Sequence, residues 1–316
     1  MITDPVFFVH IPKTAGSSLN VAAAKALGED NIEMDYGPSA PETTPLVHQF
    51  MYNGNVVDQF SFFEAFQKNQ KRWITGHVSA DRYINLFGAL NTLAFVRDPA
   101  ARVISEYNYL QRRQTQTPSF TDYYRSPDET NKQYRMIGTL PWQAFRLVGT
   151  QERYDECISL LKKSLEMPLS AIHTNVAPPK DATKPSDETI KDIQKWNERD
   201  YQFVAQVRGY LKKQIQAHTE GHVFCYHDTG FAPDTHVIGW AFYKQNTRPV
   251  TVELLIDGVR RQSVQAVEAR PELQLIGTPR QGHCGFRFVL APYTTASHIM
   301  VRAAETEQSL FEWSRP

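Results

Sequence analysis

One stretch near the start of the chain constrains the fold more than any other: residues 7–27, FFVHIPKTAGSSLNVAAAKAL. It begins within the apolar run Val6–Val9, whose length and composition predict a buried strand. It ends in an alanine-rich segment that predicts a helix, with Ser17 or Ser18 as its N-cap. Between them lies a loop of small and polar residues that carries one lysine, Lys13. Loop N–H groups and a helix N-terminus point at an anion and the lysine adds a full charge, so the stretch predicts a phosphate-binding loop.

This loop differs from the Walker A sequence GxxxxGK[ST], in which the lysine follows the second glycine. Here Lys13 precedes Gly16, and no glycine opens the loop. No acidic residue at a strand end stands out as a ligand for Mg²⁺. The sequence therefore predicts a phosphate loop of another kind, with an ordinary strand–turn–helix as the alternative.

The rest of the N-terminal part alternates strand and helix patterns. Apolar runs at Val6–Val9, Trp73–Ile74 and 93–96 are each followed by a helical pattern. This alternation predicts an α/β fold: a P-loop-like parallel sheet flanked by helices. Residues 99–113 predict a helix with Asp98 as its N-cap.

A change of pattern divides the chain. A long helix is predicted after Ser186, its expected N-cap, and the turn-rich stretch 227–230 then leads into short strand patterns. Asp257–Gly258 is a strong hairpin signal, and 286–292 and 297–303 predict two further strands. We therefore expect an α/β domain over residues 1–228 and a small all-β, sandwich-like domain over residues 229–316.

Charge and cysteine content narrow the classes of function. The 34 Lys and Arg balance the 34 Asp and Glu, which argues against a non-specific nucleic-acid binder. No segment approaches the roughly 18 apolar residues of a membrane span, and the first strand begins so early that we expect no signal peptide. The three cysteines, Cys157, Cys225 and Cys284, have no CxxC spacing. We therefore expect no disulfide framework and no zinc site, and a cytoplasmic location.

A second informative stretch is LAFVRDPAARVISEYNYL, residues 93–110. Arg97 ends the predicted strand, where an arginine is well placed to bind a second phosphate as a bidentate fork, and Ser105 lies two turns into the following helix. We interpret Asp98 as a structural cap, and Arg102 and Glu106 as solvated charges on the helix surface.

Together the two stretches resemble the sulfotransferases that use 3′-phosphoadenosine 5′-phosphosulfate, most closely the heparan sulfate 2-O-sulfotransferase-like group and its bacterial relatives. The resemblance implies that the first loop binds the 5′-phosphosulfate and that an arginine–serine pair binds the 3′-phosphate. It also implies that no metal is needed and that the product is adenosine 3′,5′-bisphosphate. By position, the implied nucleotide-binding residues are Lys13, Thr14, Ala15, Gly16, Ser17, Ser18, Arg97 and Ser105.

The segment ITGHVSADRYINLFG, residues 74–88, resembles the family segment in which Gly-His-Val carries the catalytic histidine. That residue would be His77, next to Gly76, which permits a close backbone approach. We interpret His10 as a packing residue. Residues 146–161 are similar to a helical region of the family.

Residues 175–193 resemble the lysine-bearing loop that closes near the nucleotide, so either Lys180 or Lys184 is expected to touch it. One departure concerns location: the animal enzymes carry an N-terminal membrane anchor, and we expect none here. A Golgi setting and a proteoglycan acceptor are therefore in doubt.

The predicted function is transfer of a sulfuryl group to a hydroxyl of a carbohydrate or glycolipid, with His77 as general base and Lys13 meeting the charge of the leaving group. The alternatives are a nucleotide kinase or ATPase with an atypical loop, and an inactive nucleotide- or glycan-binding protein. The β domain is expected to bind glycan, to mediate self-association into a homo-oligomer, or to stabilise the chain. Residues expected to shape the acceptor pocket come from 28–60 and 110–145, with Tyr107, Tyr109, Arg112, Arg113 and Arg135 as candidates.

Overall fold

A computed structural model describes residues 4–54, 56–113, 116–174, 184–232, 235–245 and 247–315. Its strands are β1 (Val6–Val9), β2 (Ile32–Asp35), β3 (Trp73–Gly76), β4 (Thr92–Val96), β5 (Leu147–Thr150), β6 (Cys225–Ala232), β7 (His236–Tyr243), β8 (Thr251–Ile256), β9 (Val259–Gln265), β10 (Glu268–Ala269), β11 (His283–Val289), β12 (His298–Ala303) and β13 (Ser309–Ser314). Its α-helices are α1 (Gly16–Leu27), α2 (Pro45–Val47), α3 (Gln59–Lys68), α4 (Ile84–Phe87), α5 (Pro99–Arg113), α6 (Phe120–Arg125), α7 (Tyr154–Ser164), α8 (Asp187–Trp196), α9 (Glu198–Thr219) and α10 (Pro271–Gln274).

The chain divides into two compact units. One comprises Met1–Phe87 with Asn91–Ile215, and the other comprises Gly88–Leu90 with Gln216–Pro316. Strand β6, which belongs to the second unit, begins at Cys225, ahead of the boundary predicted at 228/229.

The first unit is built on a parallel five-stranded sheet with the order β2-β3-β1-β4-β5. The predicted parallel α/β sheet is therefore confirmed. The three apolar runs in the sequence are its three central strands, and Val9 of β1 is in register with Gly76 of β3 and Ala94 of β4. Because all strands run the same way, the segments that follow them meet at one edge of the sheet.

The two faces of this sheet carry separate apolar layers, because successive strand residues point to opposite faces. Phe8 packs on Trp73 and Phe95 within a core that includes α1 and α7. On the other face, Phe7 lies 5.4 Å from the ring of Tyr83 and 6.0 Å from that of Phe87. Both phenylalanines are fully buried, so the strand that precedes the phosphate loop is held from both sides.

Several helix predictions are confirmed and others are wrong. Asp98 accepts a hydrogen bond from the N–H of Ala101 (2.9 Å), and Ser186 accepts one from the N–H of Thr189, as predicted for N-caps. The helix predicted after Ser186 is in fact two, α8 and α9, separated at Asn197. Residues 146–161, expected to be helical, begin with β5, the buried edge strand next to β4, and are helical from Tyr154, where α7 begins.

The second unit is an antiparallel β region with two four-stranded sheets, ordered β10-β11-β7-β6 and β13-β12-β8-β9. Buried residues from both sheets form one apolar core, as in a sandwich; examples are Phe286 and Phe288 from β11 and Leu254 from β8. Asp257 and Gly258 form the predicted hairpin turn, both with positive φ. The turn predicted at 227–230 is wrong, because these residues lie within β6 and pair with β7.

Candidate active site

The carboxyl edge of the parallel sheet opens into a cavity of about 1690 Å³. Each central strand ends at a predicted site residue: β1 leads into the loop containing Lys13, β3 into His77 and β4 into Arg97. These three side chains and Ser105 of α5 all line the cavity, although they are spread over 93 positions of the sequence (13 to 105).

The loop between β1 and α1 is held in an unusual backbone conformation. Lys13 and Ala15 both have positive φ (66° and 77°), a region that residues with side chains rarely adopt. Ala15 is the N-cap of α1, and no side chain caps the helix there, whereas α3, α6 and α8 each have a side-chain cap. The prediction of Ser17 or Ser18 as N-cap is therefore wrong. Without a side-chain cap, the first N–H groups of α1 are left for an anion to bind.

Lys13 is held against helix α5. Its ammonium lies 4.4 Å from the centre of the Tyr109 ring, a cation–π contact that fixes the charge inside the cavity. Burial lowers the pKa of Lys13, the neighbouring Glu106 opposes that shift, and Arg112 and Arg97 add to it. The lysine is therefore a partly desolvated cation, which interacts more strongly with an anion than a solvated one does.

Arg97 is anchored through its backbone. Its N–H donates to Oε1 of Gln133 (2.8 Å) and its carbonyl accepts from Nε2 of the same side chain (3.0 Å). Its guanidinium donates to the carbonyl oxygen of Lys13 (3.3 Å), which links β4 to the phosphate loop. A guanidinium has five N–H donors, so this geometry leaves others for a ligand.

His77 lies between two other rings at the mouth of β3. Its ring centre is 4.8 Å from that of His10 and 4.6 Å from that of Tyr36, both edge to face. The ring stays exposed to the cavity. The pKa of His77 is lowered to about 4, mainly because the surrounding protein keeps water away from the ring. The charges of Lys132 and Lys13 contribute to this shift, and Glu42 opposes it. The imidazole is therefore uncharged at neutral pH and is available to accept a proton.

Gly76, the residue before this histidine, has no room for a side chain. A Cβ atom there would lie 1.9 Å from the carbonyl oxygen of Asp35 on the neighbouring strand. The close backbone approach predicted for Gly76 is confirmed. It brings the end of β2, and with it Tyr36, against His77.

Other predicted nucleotide-binding residues differ in where they lie. Ala15, Gly16 and Ser17 line the cavity. Thr14 is fully buried and its hydroxyl donates to the carbonyl of Ile11 (2.8 Å), so this side chain stabilises the loop from within. Ser18 lines the cavity, and its hydroxyl also bonds Thr174.

Lys184 is exposed and is not among the residues that line the cavity. Its contact with a nucleotide stays a prediction. Lys180 lies outside the described residues.

Two charged residues of α5 are not the solvated charges that we predicted. Arg102 is fully buried and donates to a carboxylate oxygen of Glu129 (3.0 Å). Glu106 lines the cavity, and one of its carboxylate oxygens is buried without a described hydrogen-bond partner. Burial raises the pKa of Glu106, and Glu129 adds to this effect, whereas Arg102, Lys132 and Lys13 oppose it.

The cavity wall includes only some of the residues suggested for the acceptor. Tyr109, Arg112 and Arg113 line it. Tyr107 is buried, and its hydroxyl donates to the carbonyl of Pro118 (2.9 Å); Arg135 donates to main-chain carbonyls of its own segment. The predicted stretch 28–60 contributes Met34, Tyr36, Ala40 and Glu42, none of which was singled out individually. Sequence reasoning missed residues 151–156, 173 and 174 after β5.

The cavity lining has equal numbers of cationic and acidic side chains: Lys13, Arg97, Arg112, Arg113 and Arg153 against Glu42, Glu106, Glu152, Asp155 and Glu156. On the β5 side, Glu152 pairs with Arg208 and Glu156 with Arg153. In the part of the chain that the structure describes, no carboxylate lies within ion-pair distance of the cavity cations Lys13, Arg97, Arg112 and Arg113. These four cations are therefore available to an anionic ligand.

A parallel sheet with an uncapped helix, a lysine and an arginine at its carboxyl edge is typical of α/β enzymes that bind phosphorylated ligands. Residues 3–159 match the model of the sulfotransferase family. This likeness covers just under half of the 316 residues. The matched range contains Lys13, His77, Arg97 and Ser105. No curated protein matches the chain.

The described residues contain neither a metal-binding cluster nor a membrane-spanning helix. They contain no group of three or more His, Cys, Asp or Glu arranged to hold a metal ion. Within the same residues, no helix combines the length and the apolar character needed to cross a bilayer.

Proposed function

We propose that the chain is a sulfotransferase of the heparan sulfate 2-O-sulfotransferase-like group that uses 3′-phosphoadenosine 5′-phosphosulfate and sulfates a hydroxyl of a carbohydrate or glycolipid. The observation that carries this proposal is the meeting of Lys13, His77, Arg97 and Ser105 in one cavity. The family match supports the reaction class.

The residues of the cavity fit a nucleotide with two separate phosphate groups. The uncapped N-terminus of α1 and Lys13 would hold the 5′-phosphosulfate. Arg97 and Ser105, at the end of β4 and on α5, would hold the 3′-phosphate. Such contacts position the donor for in-line transfer, which is the main requirement of this kind of reaction.

The proposed chemistry needs one proton acceptor and one site for developing charge. The acceptor oxygen attacks the sulfur and loses its proton to His77, while the bond from sulfur to the bridging phosphate oxygen breaks. That oxygen leaves with the electron pair, and Lys13 and the loop N–H groups meet its negative charge. The low pKa of His77 keeps it uncharged before the donor binds, and the anionic donor would raise its basicity.

Ligand choice separates this reaction from a kinase. Adenosine 3′,5′-bisphosphate without Mg²⁺ should raise the melting temperature more than ADP or Mg-ATP, because only this ligand engages both phosphate sites; at 100 times its Kd the gain is about 2.7 kcal/mol. Differential scanning fluorimetry with matched ligand concentrations measures it. Equal or greater stabilisation by Mg-ATP would favour the kinase.

Turnover of labelled donor with a panel of glycans and glycolipids then tests the acceptor class, and activity with none of them would favour the binding-protein alternative.

The acid limb of the reaction should lie far below the ordinary histidine range. Since kcat/KM reports the free enzyme and the pKa of His77 is about 4, kcat/KM should stay level as pH falls through 6.5 and decline only toward pH 4. The folded state also favours uncharged His10 and His77, so stability is lost as pH falls below 6.5, and circular dichroism at each pH must accompany the rates. A limb centred near pH 6.5 with the protein folded would contradict the assignment of His77 as the base.

A further inference from the structure

Besides the proposed base, the cavity contains a second histidine whose position suggests a use. His10 is the last residue before the phosphate loop, and it is buried. Its ring stacks on Phe8 (5.6 Å between centres) and meets the His77 ring edge to face. A Cβ atom on Gly16 would lie 2.0 Å from Cδ2 of His10, so the imidazole fills the space directly beneath the start of α1. His10 therefore connects the phosphate loop to the ring of His77 by direct packing.

The orientation of the His10 ring is fixed by Tyr36. Nδ1 of His10 lies 2.9 Å from the Tyr36 hydroxyl, which also accepts a hydrogen bond from Nδ2 of Asn20 (3.2 Å). An uncharged imidazole can accept the Tyr36 hydroxyl proton at Nδ1, which places its own proton on Nε2. The Tyr36 ring makes its own contact with His77 at an interplanar angle of 87°. One hydrogen bond thus joins the two rings that enclose His77.

The groups around these rings favour uncharged imidazoles. Burial, with further contributions from His77 and Lys13, lowers the pKa of His10 to about 3. Burial raises the pKa of Tyr36 to about 12, so its hydroxyl stays protonated. The charged groups whose fields reach His77 are Lys132 and Lys13, which disfavour its protonation, and Glu42, which favours it.

We propose that His10 is a positioning residue for the sulfuryl-transfer reaction: its uncharged ring, fixed by Tyr36 and seated against Gly16, holds the ring of His77 in one orientation toward the acceptor. This inference rests on the proposed function, because it assigns His77 as the base. A general base works only when its lone pair points at the proton that it removes. His10 itself receives no proton in this scheme.

Two variants test the inference in the full chain. His10→Gln removes the ring that contacts His77, and Tyr36→Phe removes the hydroxyl but keeps its ring. We expect kcat to fall about 10- to 10²-fold in His10→Gln, the range that misplacement of a catalytic group produces, and less in Tyr36→Phe. The affinity for adenosine 3′,5′-bisphosphate, measured by titration calorimetry, should stay near the wild-type value. In ring ¹H–¹⁵N NMR spectra, the titration midpoint of His77 should rise in both variants, because a loosened ring gains water.

The matched controls are His222→Gln, an exposed histidine outside the cavity, and Tyr124→Phe, whose hydroxyl bonds Asp192. Neither should change kcat or the midpoint of His77. An unchanged midpoint and kcat in both test variants would overturn the proposal. A parallel loss of nucleotide affinity and kcat would also overturn it, because His10 would then only support the loop.

If His10→Gln does not fold, the kcat and the His77 midpoint of Tyr36→Phe decide whether the proposal holds. If the wild-type protein transfers no sulfuryl group, the proposed function fails, and the NMR titration still tests whether the two rings hold His77.

Discussion

Replacing His77 with alanine is expected to lower turnover by about 10²- to 10⁴-fold, the usual contribution of a general base. Nucleotide affinity should hardly change, because His77 lies at the end of β3 beside Tyr36, whereas the proposed phosphate contacts come from the loop after β1 and from β4. The measurement pairs titration calorimetry with adenosine 3′,5′-bisphosphate and a rate assay with labelled donor.

The matched control for this substitution is His222→Ala, since that histidine is exposed and lies outside the cavity. Near-normal turnover in His77→Ala would mean that the base is elsewhere, and Glu106, with its unpartnered carboxylate oxygen in the cavity, would be tested next. Loss of nucleotide binding together with turnover would instead make His77 a structural residue.

Lys13→Ala should impair both binding and rate. In the proposed complex the ammonium would contact the donor in the ground state, and its charge would matter more as the leaving oxygen becomes negative, so kcat should fall by about 10²- to 10³-fold. Lys25→Ala is the matched control, because Lys25 is an exposed lysine in the last turn of α1, the helix that follows the loop, and lies outside the cavity. The same two assays as for His77 measure these effects.

Arg97→Ala provides the contrast with Lys13. It would remove the proposed ground-state contact to the 3′-phosphate and should weaken nucleotide binding by about 1.5–3 kcal/mol, the usual value of a hydrogen bond to a charged group. Its effect on kcat should be much smaller than that of Lys13→Ala. Equal losses of kcat in the two variants would show that Lys13 has no special role in the transition state.

The central sheet could be predicted because its strands carry a local signal. Val6–Val9 and the runs in β3 and β4 are apolar and buried on both faces, so a reader of the sequence sees uninterrupted hydrophobic segments. The loop with Lys13 and the strand-end Arg97 could therefore be singled out from the residues themselves, whereas His77 was predicted through the family resemblance.

Strand β2 gave no such signal, because two of its four residues are acidic. Both are nevertheless buried: Glu33 pairs with Lys71 (2.9 Å), and Asp35 accepts hydrogen bonds from Arg82 and Tyr83 (2.7 Å each). These partners lie 38 to 48 positions away in the sequence, so no local pattern predicts the pairs. Without β2, Tyr36 and Glu42 could not be singled out within the predicted acceptor stretch 28–60, although both line the cavity.

The same physical reason explains the error at Arg102. A helix charge is solvated unless a distant residue provides a counter-charge, and Glu129 does so from 27 positions away. Buried ion pairs of this kind depend on tertiary packing, and the spacing of apolar residues along a helix does not predict them. The two-helix form of 187–219 was missed because the apolar spacing continues almost unchanged across Asn197.

The contact between Gly16 and His10 has a consequence for how this loop can vary. The glycine of the loop is required by an imidazole six positions earlier, and not only by the approach of a phosphate. The two positions therefore form one steric unit, in which a side chain can be introduced at position 16 only after position 10 has become smaller. A directed-evolution library that varies position 16 alone would therefore sample mostly misfolded loops, whereas paired changes at positions 10 and 16 can keep the packed volume constant.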